Sequence, residues 1–217
     1  IKEQYFIEIS NRLWKPYTLW KSRYEDRAWS AHLGFEAGQR KEGLLSLEIN
    51  LDKCEDGKSI QEHIYQIVFW LGKDSSGKIA LWIGAMQGPN MENARDVVKK
   101  MTKACHGYRT KNLILYMLQA MVRAMGIEKI YAVSNYGYYA NNHVRSDRKL
   151  KTNFGDFWLE AGGMETEDKR FYELPLVESR KTMEEVPTRK RAVYRRRFAF
   201  LDEVDAEIEA AVKKILK

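Results

Sequence analysis

Cysteine is scarce in this chain: Cys54 and Cys105 are the only two, too few for a disulfide framework or a four-thiolate zinc site. Four histidines, His32, His63, His106 and His143, stand too far apart to complete a ligand set, so no metal is expected. Four prolines in 217 residues exclude a proline-rich or low-complexity chain. No apolar run reaches the roughly 20 residues of a membrane-spanning helix, because Lys78, Gln119 or Arg123 interrupts each long candidate. The chain is therefore not expected to be an integral membrane protein. No secretory leader precedes the first apolar segments, although the sequence starts at Ile1 rather than at Met, and the two thiols suit a reducing compartment. The expected location is cytoplasmic. Neither a Ser-His-Asp order nor a phosphate-binding Walker motif is present, which removes support for hydrolase and nucleotidase readings.

What is present is a foldable composition, with 44% hydrophobic and 12% aromatic residues against 31% charged. At this length a single domain spanning 1–217 is the expectation. The net charge of +7 favours an anionic partner. It is concentrated late: Arg180 to Arg197 hold eight Lys or Arg against two Glu.

Along the chain, residues 1–35 carry Phe6, Ile9 and Leu13, then Leu19, Tyr24 and Trp29 around Pro16, and are read as a helical N-terminal cap. Residues 40–177 form the sheet core. The runs at 43–51, 64–72 and 78–86 read as antiparallel strands, the last two joined by the hairpin composition KDSSG. Asn90 then opens a helix to about Ala104. His106-Gly107 interrupts it, and a more apolar helix runs from Lys111 to Met125, stopped by Gly126. IEKIYAVSN (127–135) follows a helix and can pair parallel. A short helix at 154–163 and a strand at 170–176 come next, and 186–217 is helical, with Leu201, Val204, Ile208, Ala211 and Ile215 on one stripe.

The motifs IGAMQG (83–88), TKACHGYRTK (102–111), AVSN (132–135), DFWLEAGG (156–163), LP (174–175) and PTRKRAVYRRR (187–197) are similar to those of the VirK/YbjX family over roughly residues 40 to 203. That resemblance implies a bacterial protein of envelope biogenesis and virulence without naming a reaction. The order of elements resembles the second half of a GNAT acyltransferase. It implies an α/β (α+β) fold: a mixed, mostly antiparallel sheet flanked by helices.

The GNAT resemblance places a donor, acyl-CoA or the phosphopantetheine of an acyl-carrier protein, at the turn before the central helix. Gly107 and Tyr108 would bring backbone N–H groups to pyrophosphate, and Arg109 and Lys111 would add charge-assisted bonds. The turn departs from that family, since Tyr108 and Thr110 stand where small residues are usual. The same residues can equally form a plain helix–helix turn. His106, with an ordinary pKa near 6.5, is the candidate base, and His143 a second one. Asn135, at the carboxyl end of a strand, would hold the pantetheine arm, or simply make a turn. Gln87, Asn142 and Trp158 would line the acceptor side, although Trp158 also reads as core. Asp156 lies one helical turn from Glu160 and is a third proton-transfer candidate, or part of a solvated face. Arg189, Arg195, Arg196 and Arg197 form a candidate surface for an acidic carrier protein or anionic lipid. Nucleic acid is disfavoured, because Tyr194 is the one ring interleaved with that charge. Two functions therefore compete: acyl transfer to an amine or hydroxyl, and a non-catalytic basic adaptor binding anionic lipid or nucleic acid.

Overall fold

The computed structural model describes residues 15–25, 27–36, 38, 41–55, 58–139 and 153–216. Eight strands form one sheet in the order β1-β2-β3-β4-β5-β6-β8-β7. They are β1 (Tyr17–Tyr24), β2 (Arg27–Phe35), β3 (Leu45–Glu55), β4 (Lys58–Lys73), β5 (Ile79–Gln87), β6 (Ile130–Val133), β7 (Met164–Glu165) and β8 (Phe171–Leu174). The four described helices are α1 (Ala94–Ala104), α2 (Thr110–Ala124), α3 (Phe154–Glu160) and α4 (Arg191–Ile215). All strand pairs are antiparallel except β5 with β6. The fold is thus a mixed, mostly antiparallel sheet with helices.

The expected N-terminal helical cap is corrected for its described part, because residues 17–35 are two strands; residues 1–14 lie outside the described residues. In β2, Trp29, Ala31 and Leu33 join the apolar core while Ser30 and His32 share a hydrogen bond of 2.8 Å on the other face. That alternation has period two, the strand period. Leu19, Tyr24 and Trp29 recur every five residues, which matches no helical face.

The core lies between the sheet and α2, which is buried continuously from Leu113 to Val122. Helix α4 covers α2 and β1, burying Leu201, Val204, Ile208 and Val212 at helical spacing. On the opposite sheet face, cross-strand partners Trp70 and Trp82 stack at 6.0 Å, and Trp82 and Tyr131 at 4.3 Å. Asp74 accepts from the backbone N–H of Ser76 and Lys78 and so closes the KDSSG hairpin.

The ladder between β4 and β5 breaks register at one point. Val68 pairs with Ala85 and Phe69 with Ile83, leaving Gly84 as an extra residue in β5. A Cβ added to Gly84 would sit 1.7 Å from the Glu42 carbonyl oxygen. Gly84→Ala should therefore destabilise the chain by about 3 kcal/mol, the upper range for overpacking, with a matching fall in the urea midpoint. An unchanged midpoint would mean that Glu42 moves aside freely.

Candidate functional site

The bulge at Gly84 turns β5 away from its parallel neighbour. β5 and β6 pair at only three positions, Leu81↔Ile130, Trp82↔Tyr131 and Ile83↔Ala132, and then separate. Beside this opening lie Glu42, whose backbone rests on Gly84, and Tyr138, in the turn after β6. The Tyr138 hydroxyl donates to Glu42 Oε1 at 2.8 Å. Glu42 Oε2 is buried and has no hydrogen-bond partner among the described residues. Burial raises the Glu42 pKa above the usual carboxylate range, Glu36 pushes it the same way and the Tyr138 bond opposes. Burial also raises the Tyr138 phenol. A carboxyl whose pKa is raised by burial and which accepts from a phenol is an arrangement able to pass a proton.

Sequence reasoning missed this pair, because Glu42 reaches Tyr138 only through the tertiary fold. The available signal was a lone glycine inside a strand, which marks a bulge or a close backbone approach.

The 106–111 turn is a helix stop followed by a helix start. The His106 N–H bonds Lys103 O and the Gly107 N–H bonds Thr102 O, the paired bonds of a Schellman motif. His106, at φ 53°, occupies the left-handed position that glycine usually takes, and Gly107 follows at φ 77°. Arg197 secures the strained turn by donating Nε and Nη2 to the His106 carbonyl at 3.2 and 3.1 Å. The His106 pKa is lowered by burial, then by Arg196 and Arg197, so its ring is neutral at pH 7. Its ring packs at the edge of Phe200, 6.1 Å away.

Arg109 and Lys111 both reach Glu160, at 2.9 and 3.4 Å. Lys111 also lies over the Phe157 ring at 4.5 Å. The carboxylate of α3 thus faces the two cations expected to hold donor phosphate. Tyr108 is buried and donates to Glu178 at 2.8 Å.

The other candidates separate. Trp158, read as a substrate contact, is corrected to core: it is 0% exposed and donates Nε1 to Val133 O at 2.9 Å. Ser134 N–H bonds Arg170 O toward β8, so the adjacent Val133 carbonyl points to the side that β5 has left. Trp158 satisfies that carbonyl. Asn135 Oδ1 accepts from the Phe154 N–H at 2.7 Å and so fixes the start of α3. Asp156 is exposed in the first turn of α3. Gln87 ends β5 opposite Gln66. His143 and Asn142 lie outside the described residues. His32 and His63 are held neutral by burial, against nearby carboxylates. Arg189, Arg195 and Arg196 are exposed, whereas Arg197 is committed to the turn.

A family model described as "Protein of unknown function (DUF535)" matches residues 1–210. The chain belongs to this family. "Uncharacterized protein YbjX" of Escherichia coli (strain K12) is 30% identical over 171 residues, 76% of this chain and 51% of the relative. An "Uncharacterized protein" of Haemophilus influenzae is 32% identical over 130 residues, 60% of this chain and 43% of the relative. "Membrane protein LapB" of Mannheimia haemolytica is 28% identical over 103 residues, 46% of this chain and 40% of the relative. The chain spans about half the length of the curated relatives it matches. The VirK/YbjX family resemblance thus holds, while the names of these relatives assign no reaction.

Because Arg197 holds the turn and Arg196 is exposed, Arg197→Met should cost about 2 kcal/mol in urea unfolding, the range for a lost charge-assisted bond. Arg196→Met should stay within about 0.5 kcal/mol of the parent. Equal losses would remove the structural role given to Arg197.

Proposed function

We propose that this DUF535 chain is an acyltransferase-like enzyme of GNAT plan. It moves an acyl group from acyl-CoA or an acyl-carrier protein to an amine or hydroxyl acceptor, in envelope biogenesis. The observation that carries this reading is the early parting of β5 and β6 at the Gly84 bulge, with the Glu42–Tyr138 pair beside it. Trp158 takes up the freed Val133 carbonyl of β6, so the groups left to hold an amide arm and the oxygen of a thioester carbonyl are those of β5 beyond the bulge. The acceptor nitrogen or oxygen attacks that carbonyl and gives its proton to Glu42. The C–S bond breaks, the thiolate takes the Tyr138 proton, and Glu42 returns a proton to Tyr138 along their hydrogen bond. Donor phosphate would meet Arg109 and Lys111 in exchange for Glu160.

The test offers acetyl-CoA, palmitoyl-CoA and an acyl-carrier protein to the purified chain by native mass spectrometry and thermal shift. A bound donor should raise the melting temperature. Glu42→Gln and Tyr138→Phe should keep donor binding and lower turnover at least a hundredfold, within the usual range for a general acid or base of roughly 10² to 10⁴. Glu42 acts as carboxylate, so the rate should fall as pH drops through its raised pKa, and Glu42→Gln should flatten that limb. Failure of every donor to bind would falsify the acyl-transfer reading.

A second reading, a non-catalytic adaptor for anionic lipid, is favoured by Arg189, Arg195 and Arg196, which stand exposed on or beside the first turns of α4. One relative carries the name membrane protein. Nucleic acid fits less well, because the Tyr194 ring already lies under Arg197 at 4.4 Å. The adaptor reading expects flotation with phosphatidylglycerol vesicles that disappears at high salt and in the Arg195→Ala/Arg196→Ala chain. Flotation indifferent to salt and to both arginines would exclude it.

A further inference from the structure

A cleft of about 250 Å³ lies between the N-terminal half of α2, the C-terminal end of α3 and the segment after β8. Tyr108, Asn112, Glu160 and Glu178 form its polar wall, and Leu115 and Val177 part of its apolar one. Sites for drug-sized ligands occupy roughly 300 to 1,000 Å³, so the occupant of this cleft is small.

Most polar groups of the wall already have partners within the chain. Tyr108 is 7% exposed and spends its hydroxyl proton on Glu178 Oε1. Gln119, on the same helix, donates one N–H of its amide to the Pro175 carbonyl at 2.7 Å. Asn112 Oδ1 is buried and meets no donor among the described residues. Glu178 carries a carboxyl that no described cation contacts directly. Arg180, two residues on, is bound to Asp202 at 2.6 Å and to the Tyr116 hydroxyl at 2.8 Å. Arg197 is spent on the His106 carbonyl. No Lys or Arg lines the cleft among the described residues. Glu160 is already paired with Arg109 and Lys111, so the uncommitted charge on the wall is the Glu178 carboxyl, which calls for a cationic N–H donor.

We propose that this cleft binds a small cationic amine, its ammonium received by Glu178 and its carbon chain laid along Leu115 and Val177. The site stands apart from the Glu42–Tyr138 opening and does not depend on acyl transfer. Burial raises the Glu178 pKa, while the Tyr108 bond, Arg180 and Arg197 pull it down. An ammonium in the cleft returns to Glu178 the stabilisation that desolvation removed. Amine affinity should then fall as pH drops through the Glu178 pKa.

Calorimetric titration of the whole chain at pH 8 with n-pentylamine, 1-pentanol and sodium pentanoate tests this. The expected result is saturable one-site binding of the amine, with the alcohol and the carboxylate at least tenfold weaker. Glu178→Gln should weaken the amine at least tenfold. Val177→Trp, at a position 63% exposed where a larger ring does not disturb the core, should block entry by filling the rim. If Glu178→Gln does not fold, the ligand series and Val177→Trp decide alone. No saturable amine binding, pentanoate or pentanol binding as tightly as the amine, or amine binding unchanged in Val177→Trp would overturn the assignment.

Discussion

Glycine at position 84 lets the Glu42 carbonyl stand where a side chain would begin, and several features of the sheet depend on that contact. With Gly84 bulged, β5 turns from β6 after Ile83, and the Val133 carbonyl loses its natural partner. A buried carbonyl without a donor costs about 1 to 3 kcal/mol. Trp158 supplies that donor, and in doing so anchors α3 beneath the parted strands. Once α3 is anchored, Phe157 and Glu160 lie against Lys111 and Arg109, so the start of α2 is held by the same sequence of contacts. A backbone contact in the sheet thus sets the position of the first turn of the central helix.

Helix α2 provides the second constraint. Its surface against the chain after β8 is not wholly apolar: Tyr116, Gln119 and Arg123, about one turn apart, hold that chain. Gln119 bonds Pro175 O, Arg123 bonds Leu176 O and pairs with Asp205, and Tyr116 accepts from Arg180. A segment without regular structure is thereby fastened at three points to a helix and to α4. This fastening makes the far wall of the cleft at Glu178 a fixed surface rather than a loose loop.

Much of this was legible from local pattern. The apolar runs of β4 and β5, the KDSSG hairpin, the glycine stop after α2 and the stripe of α4 each follow from spacing within one element, and the structure has them, although β4 begins at Lys58, well before its apolar run. The strands at 17–35 were not, because the scattered Trp and Tyr around Pro16 suggest helices and mask the period-two alternation of Ser30 and His32 with Ala31 and Leu33. HGYRTK was legible as a turn, but not the role of Arg197, which lies 91 residues from the carbonyl it holds. Glu42 carried no local mark at all. Its raised pKa comes from burial against a bulge and from Glu36, and its partner lies 96 residues away. Sites assembled by tertiary contact leave their trace in the residue that permits the contact, here a glycine inside a strand.

The distribution of charge divides the labour of recognition. The chain carries a net +7, yet Glu42 and Glu178 sit at the two openings, each with its proton affinity raised by burial. The exposed arginines stand instead at the start of α4, where Arg195 and Arg196 project from a helix whose buried stripe begins only at Leu201. Long-range attraction scales with net charge and exposed cations, whereas what settles in an opening is decided by the few groups that line it and by their desolvation. An anionic macromolecule drawn to the arginines would therefore meet carboxyl groups at both openings. A phosphate could enter beside α2 only where Arg109 and Lys111 outweigh Glu160, and that local balance, rather than the overall charge, decides what the opening there admits.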